Sequence, residues 1–352
     1  MTTVHFVVPD GIDDPEHPSG GNVYDRRLCV ELRLRGWDVR EHAAPGSWPY
    51  PELPARQSLE RQIAGVPDGQ LLLVDGLIAS TMPAVLVPAA RRLRLVVLVH
   101  QPLGNAAERP DAAAQECAVL SAARTVLTTS SWCRRWLLSR YPLCPDRVTV
   151  AEPGTDPAGL AVGTAGGGEL LCVGTVSPSK GHNLLLTALA AVADLRWRCI
   201  CVGTLDRDPA FVVQLRQRLV ADGLGDRVHF IGPRTGADLE RLYGAADALV
   251  HPSRAETYGM VITEALAHGL PVLAADVGGV GEALGRVSRD RRPGLLIAPG
   301  DPDALAGALR RWLVEPKMRT QLRAAALERR ATLPGWDATA DRIAGTLGQV
   351  AA

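Results

Sequence analysis

The sequence predicts an α/β protein built from two doubly wound parallel-sheet domains. Three observations carry this reading. Short continuous apolar runs, such as Leu71-Leu72-Leu73-Val74 and Ala248-Leu249-Val250, recur along the chain and read as strands buried on both faces. Helical patterns lie between most of them, and alternating strands and helices imply a parallel sheet covered by helices on both faces. Residues from about Asp156 to Gly168 are rich in Gly, Ala and Thr and read as a linker that divides the runs into two sets. A length of 352 residues accommodates two domains of ordinary size.

In the first set, Val4 to Val8 reads as a strand, and the loop after it, from Pro9 to Asn22, is rich in Pro, Gly and Asp. Tyr24 to Arg35 reads as an amphipathic helix, with Leu28, Val30, Leu32 and Leu34 as its apolar positions and Val23 just ahead of it. Gly36 ends it and Asp38 to Glu41 is a short strand. Leu71 to Asp75, Leu95 to Val99, Thr125 to Thr128 and Val148 to Ala151 complete the set. The second set comprises Glu169 to Val173, Arg198 to Val202, Val228 to Ile231, Ala248 to His251, Pro271 to Ala274 and Leu295 to Ala298. Its helices are Leu184 to Val192, Phe211 to Ala221, Leu239 to Tyr243, Met260 to Ala267, Asp303 to Leu313 and Lys317 to Arg330.

Composition narrows the function classes. Lys+Arg and Asp+Glu are both 38, so no net field recruits nucleic acid or an anionic membrane. The local cluster Arg289, Arg291 and Arg292 reads as a solvated loop. Seven cysteines without a CxxC pair argue against a disulfide framework or a zinc site. Cys199 and Cys201 read as core thiols of one strand. Met1 runs straight into a strand-like run, so no signal peptide is expected. No apolar run reaches the roughly 18 residues that span a bilayer. The expected location is the cytoplasm, without an integral membrane segment.

The most informative stretch runs from His251 to Leu284. Pro252 and Ser253 end an apolar strand, Glu256 follows in a loop, and Gly259 precedes a helical pattern. In an open parallel sheet, ligands sit beyond the carboxyl ends of the strands, where this loop falls. A helix N-terminus offers unpaired N–H groups and partial positive charge, which suits a phosphate. Glu256 and Glu264 bracket the helix start, and carboxylates accept from the paired hydroxyls of a sugar or a ribose. A phosphate between two hydroxyl-bearing rings describes a nucleotide sugar. Asp247, before the strand, reads as structural.

With Ser253, the two glutamates separated by seven residues, the run Glu264-Ala265-Leu266-Ala267-His268-Gly269-Leu270-Pro271-Val272 and the pair Gly278-Gly279, the stretch resembles the signature of glycosyltransferase family 4. These are retaining enzymes of the GT-B fold, two Rossmann-like domains facing a cleft. The resemblance is strongest from about Leu170 to Leu284. It implies an N-terminal acceptor-binding domain over residues 1–155 and a C-terminal nucleotide-sugar-binding domain over 166–330. It also implies that residues 331–352 hold a helix, about Ala338 to Leu347, crossing back onto the first domain.

The resemblance implies roles residue by residue. Lys180, followed by Gly181, meets the donor diphosphate as a point charge. Glu256 holds sugar hydroxyls and Glu264 the ribose diol. Tyr258, Gly259, Met260 and Val261 bring helix-start N–H groups to the phosphates. Gly20 and Gly21, expected in the loop before the first helix, allow close backbone approach to the donor phosphates. His100, ending an apolar strand, donates to a sugar hydroxyl or a reacting oxygen, so the catalytic set is Glu256, Lys180 and His100. Arg234 lies near the expected base-recognition loop. The sequence departs from the family where Thr175 follows Gly174 in place of an arginine; Arg234 and Arg26 are the substitutes to consider. On the acceptor side, Asn22, Tyr24, Asp13 and Asp14 are the expected contacts, within an acidic group that includes Asp10, Glu16 and Asp25.

The implied activity is hexosyl transfer from a nucleoside diphosphate sugar, uridine first, to a hydroxyl of a small polar acceptor. Partners are the nucleotide sugar and that acceptor, with no nucleic acid. No cofactor and no metal are implied, because the nucleotide sugar is a co-substrate and cation and helix dipole serve the diphosphate. Two other readings stay open: a non-catalytic nucleotide-sugar-binding protein, and a sugar-nucleotide epimerase of the same fold. A phosphorylase would call for a pyridoxal cofactor and a longer chain. A sensor binds without releasing nucleotide, and an epimerase forms product without acceptor.

Overall fold

A computed structural model describes residues 2–105 and 111–352. The chain divides into two compact units: Met1–Asp13, Gly20–Gly154 and Pro334–Ala352 form one, and Asp14–Ser19 with Thr155–Leu333 form the other.

The first unit contains strands β1 (Thr3–Pro9), β2 (Asp38–Ala44), β3 (Leu71–Asp75), β4 (Arg94–Val99), β5 (Thr125–Thr128) and β6 (Val148–Val150). All pairings are parallel, in the order β2-β1-β3-β4-β5-β6. Helices α1 (Gly20–Leu34), α2 (Leu53–Ala64), α3 (Gly76–Ala79), α4 (Pro83–Ala89), α5 (Ala112–Ala122) and α6 (Ser131–Arg140) connect them. Leu72, Val74, Leu95, Val97 and Val99 pack with Ile78, Leu86, Val119 and Leu137 in one core. β3 and β4 are the continuous apolar runs expected of strands covered on both faces.

Helix α1 corrects two expectations. It begins at Gly20, so Gly20 and Gly21 are its first two residues and do not lie in the preceding loop. Glycine is tolerated there because the first N–H groups of a helix lack intrahelical partners in any case. The apolar face is Tyr24, Leu28 and Leu32, all buried, at the four-residue spacing of one helix face. Val23, Val30 and Leu34 are exposed, at 42%, 43% and 74%, since positions two apart cannot share that face.

The second unit contains β7 (Glu169–Val173), β8 (Arg198–Val202), β9 (Val228–Phe230), β10 (Ala248–His251), β11 (Val272–Ala275) and β12 (Gly294–Ile297). The parallel order is β12-β11-β10-β7-β8-β9. The helices are α7 (His182–Ala190), α8 (Pro209–Ala221), α9 (Gly236–Ala245), α10 (Met260–Ala267), α11 (Val280–Leu284), α12 (Pro302–Val314) and α13 (Pro316–Arg330). One sheet face, with Leu170, Cys172, Cys199, Cys201 and Val250, packs on Leu185, Val212 and Leu309. The other, with Leu171, Val202, Leu249 and Val272, packs on Tyr243, Ile262, Val280 and Ala326. Asp247 is buried and accepts from Thr164 N–H, Thr164 Oγ1 and Glu169 N–H, a structural knot between the approach segment and β7.

Helix α14 (Trp336–Ala351) belongs to the first unit. Trp336, Ala340, Ile343 and Leu347 form its buried stripe. Trp336 meets Tyr24 edge-on, ring centres 5.4 Å apart. A Cβ at Gly154 would lie 2.4 Å from Trp336 Cα, so glycine is needed for that approach. Thr339 Oγ1 donates to the Glu152 carbonyl at 2.7 Å, and Arg35 pairs with Asp341 at 2.6 Å. No helix among the described residues is long and apolar enough to cross a membrane.

Candidate active site

In the second unit, β7 leads to β8 on one side while β10 pairs on its other side. The order therefore reverses between β7 and β10, and the carboxyl ends of two strands flanking such a switch leave a crevice suited to ligands. Lys180 follows β7 and Glu256 follows β10, and they meet there. Lys180 Nζ donates to Glu256 Oε1 at 2.5 Å, and Ser253 Oγ donates to the same oxygen at 3.1 Å. His251 Nε2 lies 3.0 Å from it, at ion-pair distance but without hydrogen-bond alignment. Burial alone would raise the Glu256 carboxyl. The Lys180 charge and His251 more than offset it and hold the group well below the usual carboxylate range.

Backbone crowding fixes this geometry. Gly278 has φ +56°, and a Cβ there would lie 1.6 Å from the Glu256 carbonyl oxygen; a Cβ at Gly279 would lie 2.1 Å from that of Thr257. Gly279 N–H donates to the Glu256 carbonyl at 3.1 Å. The double glycine is thus the floor on which the Glu256 loop rests. On the other side, Arg254 N–H donates to the Ser179 carbonyl at 2.8 Å, and Gly181 (φ +72°) is pressed against the Pro252 carbonyl. The turns carrying Lys180 and Glu256 are therefore one backbone assembly.

Gly259, at φ +98°, turns the chain into α10, whose first turn has neither an acidic residue nor a side-chain cap. The Met260 and Val261 end thus keeps its positive pole uncompensated from within. Glu264 lies further along α10 and accepts from Tyr243 Oη at 2.8 Å. Tyr243 stacks on His268, which contacts the Glu264 carbonyl and Glu240. Burial raises the Glu264 carboxyl, and the Tyr243 hydrogen bond and His268 oppose this only in part. The two glutamates are thus biased in opposite directions. Tyr258 is buried just before Gly259, and Thr175 follows β7. Arg234 is exposed and donates to its neighbour's carbonyl, that of Pro233.

The first unit also reverses strand order, between β1 and β3. His100 follows β4, and its Nε2 lies 2.7 Å from Asp25 Oδ1 and 3.5 Å from Asp75 Oδ2. Asp75 closes β3 and caps α3. A Cβ on Gly21 would lie 3.3 Å from His100 Cδ2, so the ring rests on the start of α1.

Burial corrects two acceptor-side expectations, those for Tyr24 and Asp25. Tyr24 is fully buried, its hydroxyl donating to the Ala151 carbonyl at 2.9 Å, and it offers no surface to an acceptor. Asp25 is buried beneath His100 and is not part of a solvated acidic loop. Asp13 is held by Arg26 through two bonds, at 2.8 and 2.6 Å, and Asp14 by His17 at 2.6 Å, so the acids are separate ion pairs. Arg26 also binds Glu41 at 2.8 Å. Asn22 Nδ2 donates to the Gly11 carbonyl. His251 and Ser253 lie at the start of the signature stretch, but nothing in their spacing revealed that both face Glu256. Asp75, read only as a strand end, is the other omission.

Residues 165–329 match the family model described as glycosyl transferases group 1. A D-inositol 3-phosphate glycosyltransferase of Salinispora tropica is 34% identical over 298 residues, covering 76% of this chain and 60% of the relative. One of Catenulispora acidiphila is 32% identical over 291 residues, covering 77% of this chain and 68% of the relative. The chain thus spans about 60% of the length of the first of these relatives. Among solved structures, sucrose-phosphate synthase from Thermosynechococcus elongatus aligns with a TM-score of 0.83 at 22% identity, over 99% of each chain. HepE of Anabaena, in complex with UDP-glucose, aligns at 0.79 and 20%, over 99% of this chain and 100% of its own. These likenesses are those of the two-sheet GT-B fold.

Proposed function

The chain belongs to the group 1 glycosyl transferases, and from that footing we propose that it moves a hexosyl group, with retention, from a nucleoside diphosphate sugar to a hydroxyl of a small polar acceptor. One observation carries the reading: Lys180 and the ionised Glu256 meet at the sheet's switch point, near the uncapped start of α10. Lys180 is 30% exposed, so a diphosphate can draw its ammonium away. Glu256, released from that contact, accepts from sugar hydroxyls. Lys180 and the N–H groups of Met260 and Val261 then stabilise the charge that grows on the departing diphosphate. Glu264 takes the ribose diol, and His100 donates to a hydroxyl or reacting oxygen. A purely binding role and an epimerase role draw no support from the relatives' printed names.

The donor to test first is UDP-glucose, the ligand in the HepE structure, and the acceptor an inositol phosphate, after the named relatives. Transfer is followed by UDP release and product mass, with a parallel thermal-shift panel of UDP, GDP and ADP. Glu256→Gln keeps the loop's size and removes the charge. It is expected to lower turnover about 10²- to 10³-fold, the scale of losing one preorganised electrostatic contact. Wild-type turnover in that variant removes Glu256 from the reaction.

A further inference from the structure

The cluster at the switch point of the first unit contains more buried charge than a hydrogen-bond donor needs. Asp25 is fully buried and Asp75 is 4% exposed, yet both face one imidazole nitrogen. Asp75 is explained in part, since its Oδ1 caps α3 through Leu77 and Ile78 N–H. Asp25 has no such role. Its Oδ1 bonds His100, and its Oδ2 is buried with no hydrogen-bond partner among the described residues unless the neighbouring Asp75 carboxyl carries a proton to share with Asp25. Burying a carboxylate with one oxygen unsatisfied is costly, so its return must lie in what it does to His100.

We propose that Asp25 is a positioning residue for His100: its carboxylate grips Nε2 from below, fixes the ring on Gly21, and leaves Nδ1–H as the donor that the ring offers. This deepens the proposed function and rests on it for the identity of the substrate. Neutral imidazole bonded through Nε2–H would have a bare Nδ1, which is an acceptor. A ring whose Nε2 bonds the buried Asp25 carboxylate at 2.7 Å is favoured as imidazolium, whose Nδ1 carries a proton. The Asp25–His100 pair therefore decides between a base and a donor, and it selects the donor. No partner for Nδ1 is found among the described residues, and the ring is 16% exposed.

The surrounding groups agree with this assignment. Burial alone would lower His100, but Asp25 and then Asp75 more than reverse it, leaving it raised. Burial, and next the Asp25 charge, push Asp75 up to about 7. Near neutrality Asp75 is therefore partly protonated. Tyr24 meets the ring edge-on at 5.1 Å, and its buried hydroxyl is held neutral well past its ordinary range. Arg342 acts on Tyr24 from α14.

The test is imidazole ¹⁵N NMR of the full chain as a function of pH, with His100 assigned through His100→Gln. In Asp25→Asn, His100 is expected to titrate at lower pH than in the wild type, with Nδ1 losing its proton in the neutral range. Turnover is expected to fall on the order of 10²-fold, as for a misplaced catalytic group, with KM for the nucleotide sugar unchanged. Asp75→Asn leaves the Nε2 contact in place; a smaller shift in the same direction is expected, and it supplies the readout if Asp25→Asn does not fold. An unmoved His100 titration in these variants overturns the proposal. So does a stoichiometric divalent metal that is lost with Asp25, since the three side chains could also hold an ion. If the NMR shift is seen but the wild type transfers no sugar, the positioning stands and the transferase reading falls.

Discussion

Replacing Lys180 by Met separates the Lys180–Glu256 pair's structural part from its part in binding. The Glu256 side chain is 11% exposed and that of Lys180 is 30% exposed. Removing one partner of a buried ion pair strands the other charge, at about 3–5 kcal/mol. Partial exposure of Lys180 and the remaining contacts from Ser253 and His251 reduce this to about 2–3 kcal/mol at neutral pH. The pH dependence follows from Glu256. In the wild type its carboxyl is depressed below the ordinary 4.5. Its contribution is therefore fully present above that value and is lost as pH falls toward the folded one. In Lys180→Met burial acts largely unopposed and lifts the carboxyl, so the variant gains relative stability as the group protonates. The gap between the proteins is widest near pH 7, narrows as pH falls through the variant's raised carboxyl value, and closes only as pH approaches the depressed wild-type one. Urea unfolding is followed by tryptophan fluorescence, to which the buried Trp197 and Trp312 contribute from this unit. The double variant Lys180→Met with Glu256→Gln should recover most of the loss, giving a coupling energy. A gap of less than about 0.5 kcal/mol at pH 7, within the usual range for an ordinary surface change, or one that does not change with pH, would refute the reasoning.

Four further outcomes are expected. Gly278→Ala drives a methyl group into the Glu256 carbonyl and strains a left-handed residue; it should abolish UDP-dependent thermal stabilisation. Gly223→Ala has a similar φ of +66° but open space around it, and should cost only the conformational strain, about 1–2 kcal/mol, with UDP binding retained. Tyr243→Phe removes the hydrogen bond to Glu264, about 0.5–1.5 kcal/mol of folding free energy. It also lifts an already raised carboxyl further, so calorimetry should find UDP binding weakened more at pH 6 than at pH 8. Trp336→Ala opens a cavity against Tyr24 and Gly154 and should lower stability by about 3–5 kcal/mol in thermal or urea unfolding.

Most strands are legible because they are apolar runs, and Glu169–Val173, Arg198–Val202 and Ala248–His251 have the same limits in sequence and structure; β2, with its polar run, extends to Ala44, beyond the expected Glu41. Helix α1 was misread at its start because Gly20-Gly21 resembles a breaker, and local composition does not reveal that a ring from another strand lies across it. Its face was misread because Val30 and Leu34 are apolar without being buried. Tyr24 illustrates the deeper limit: its hydroxyl bonds a carbonyl 127 residues away, and nothing near Tyr24 encodes that. The motif gave the members of the Lys180–Glu256 pair, 76 residues apart, but their contact follows from a strand order that no local spacing specifies. The same holds for Asp25, 75 residues from His100.

The two switch points share a logic that explains why the charged residues are paired rather than left open. A bare buried carboxylate would protonate, and a loose lysine would lose side-chain entropy on binding. Pairing Lys180 with Glu256 keeps one ionised and the other localised until a ligand with both an anionic and a hydroxyl-bearing part replaces each contact. A diphosphate alone takes Lys180 and leaves Glu256 buried with Ser253 and His251; a nucleotide sugar satisfies both. Under the proposed function, the pair would couple recognition of the phosphate to recognition of the sugar, because meeting one demand without the other strands a charge. The Asp25–His100 contact differs in kind. Its carboxylate is fully buried, so a ligand cannot readily displace it, and the histidine keeps its partner throughout. A pair that opens suits the group whose charge must be handed over, and a pair that stays closed suits the group whose proton must stay in place.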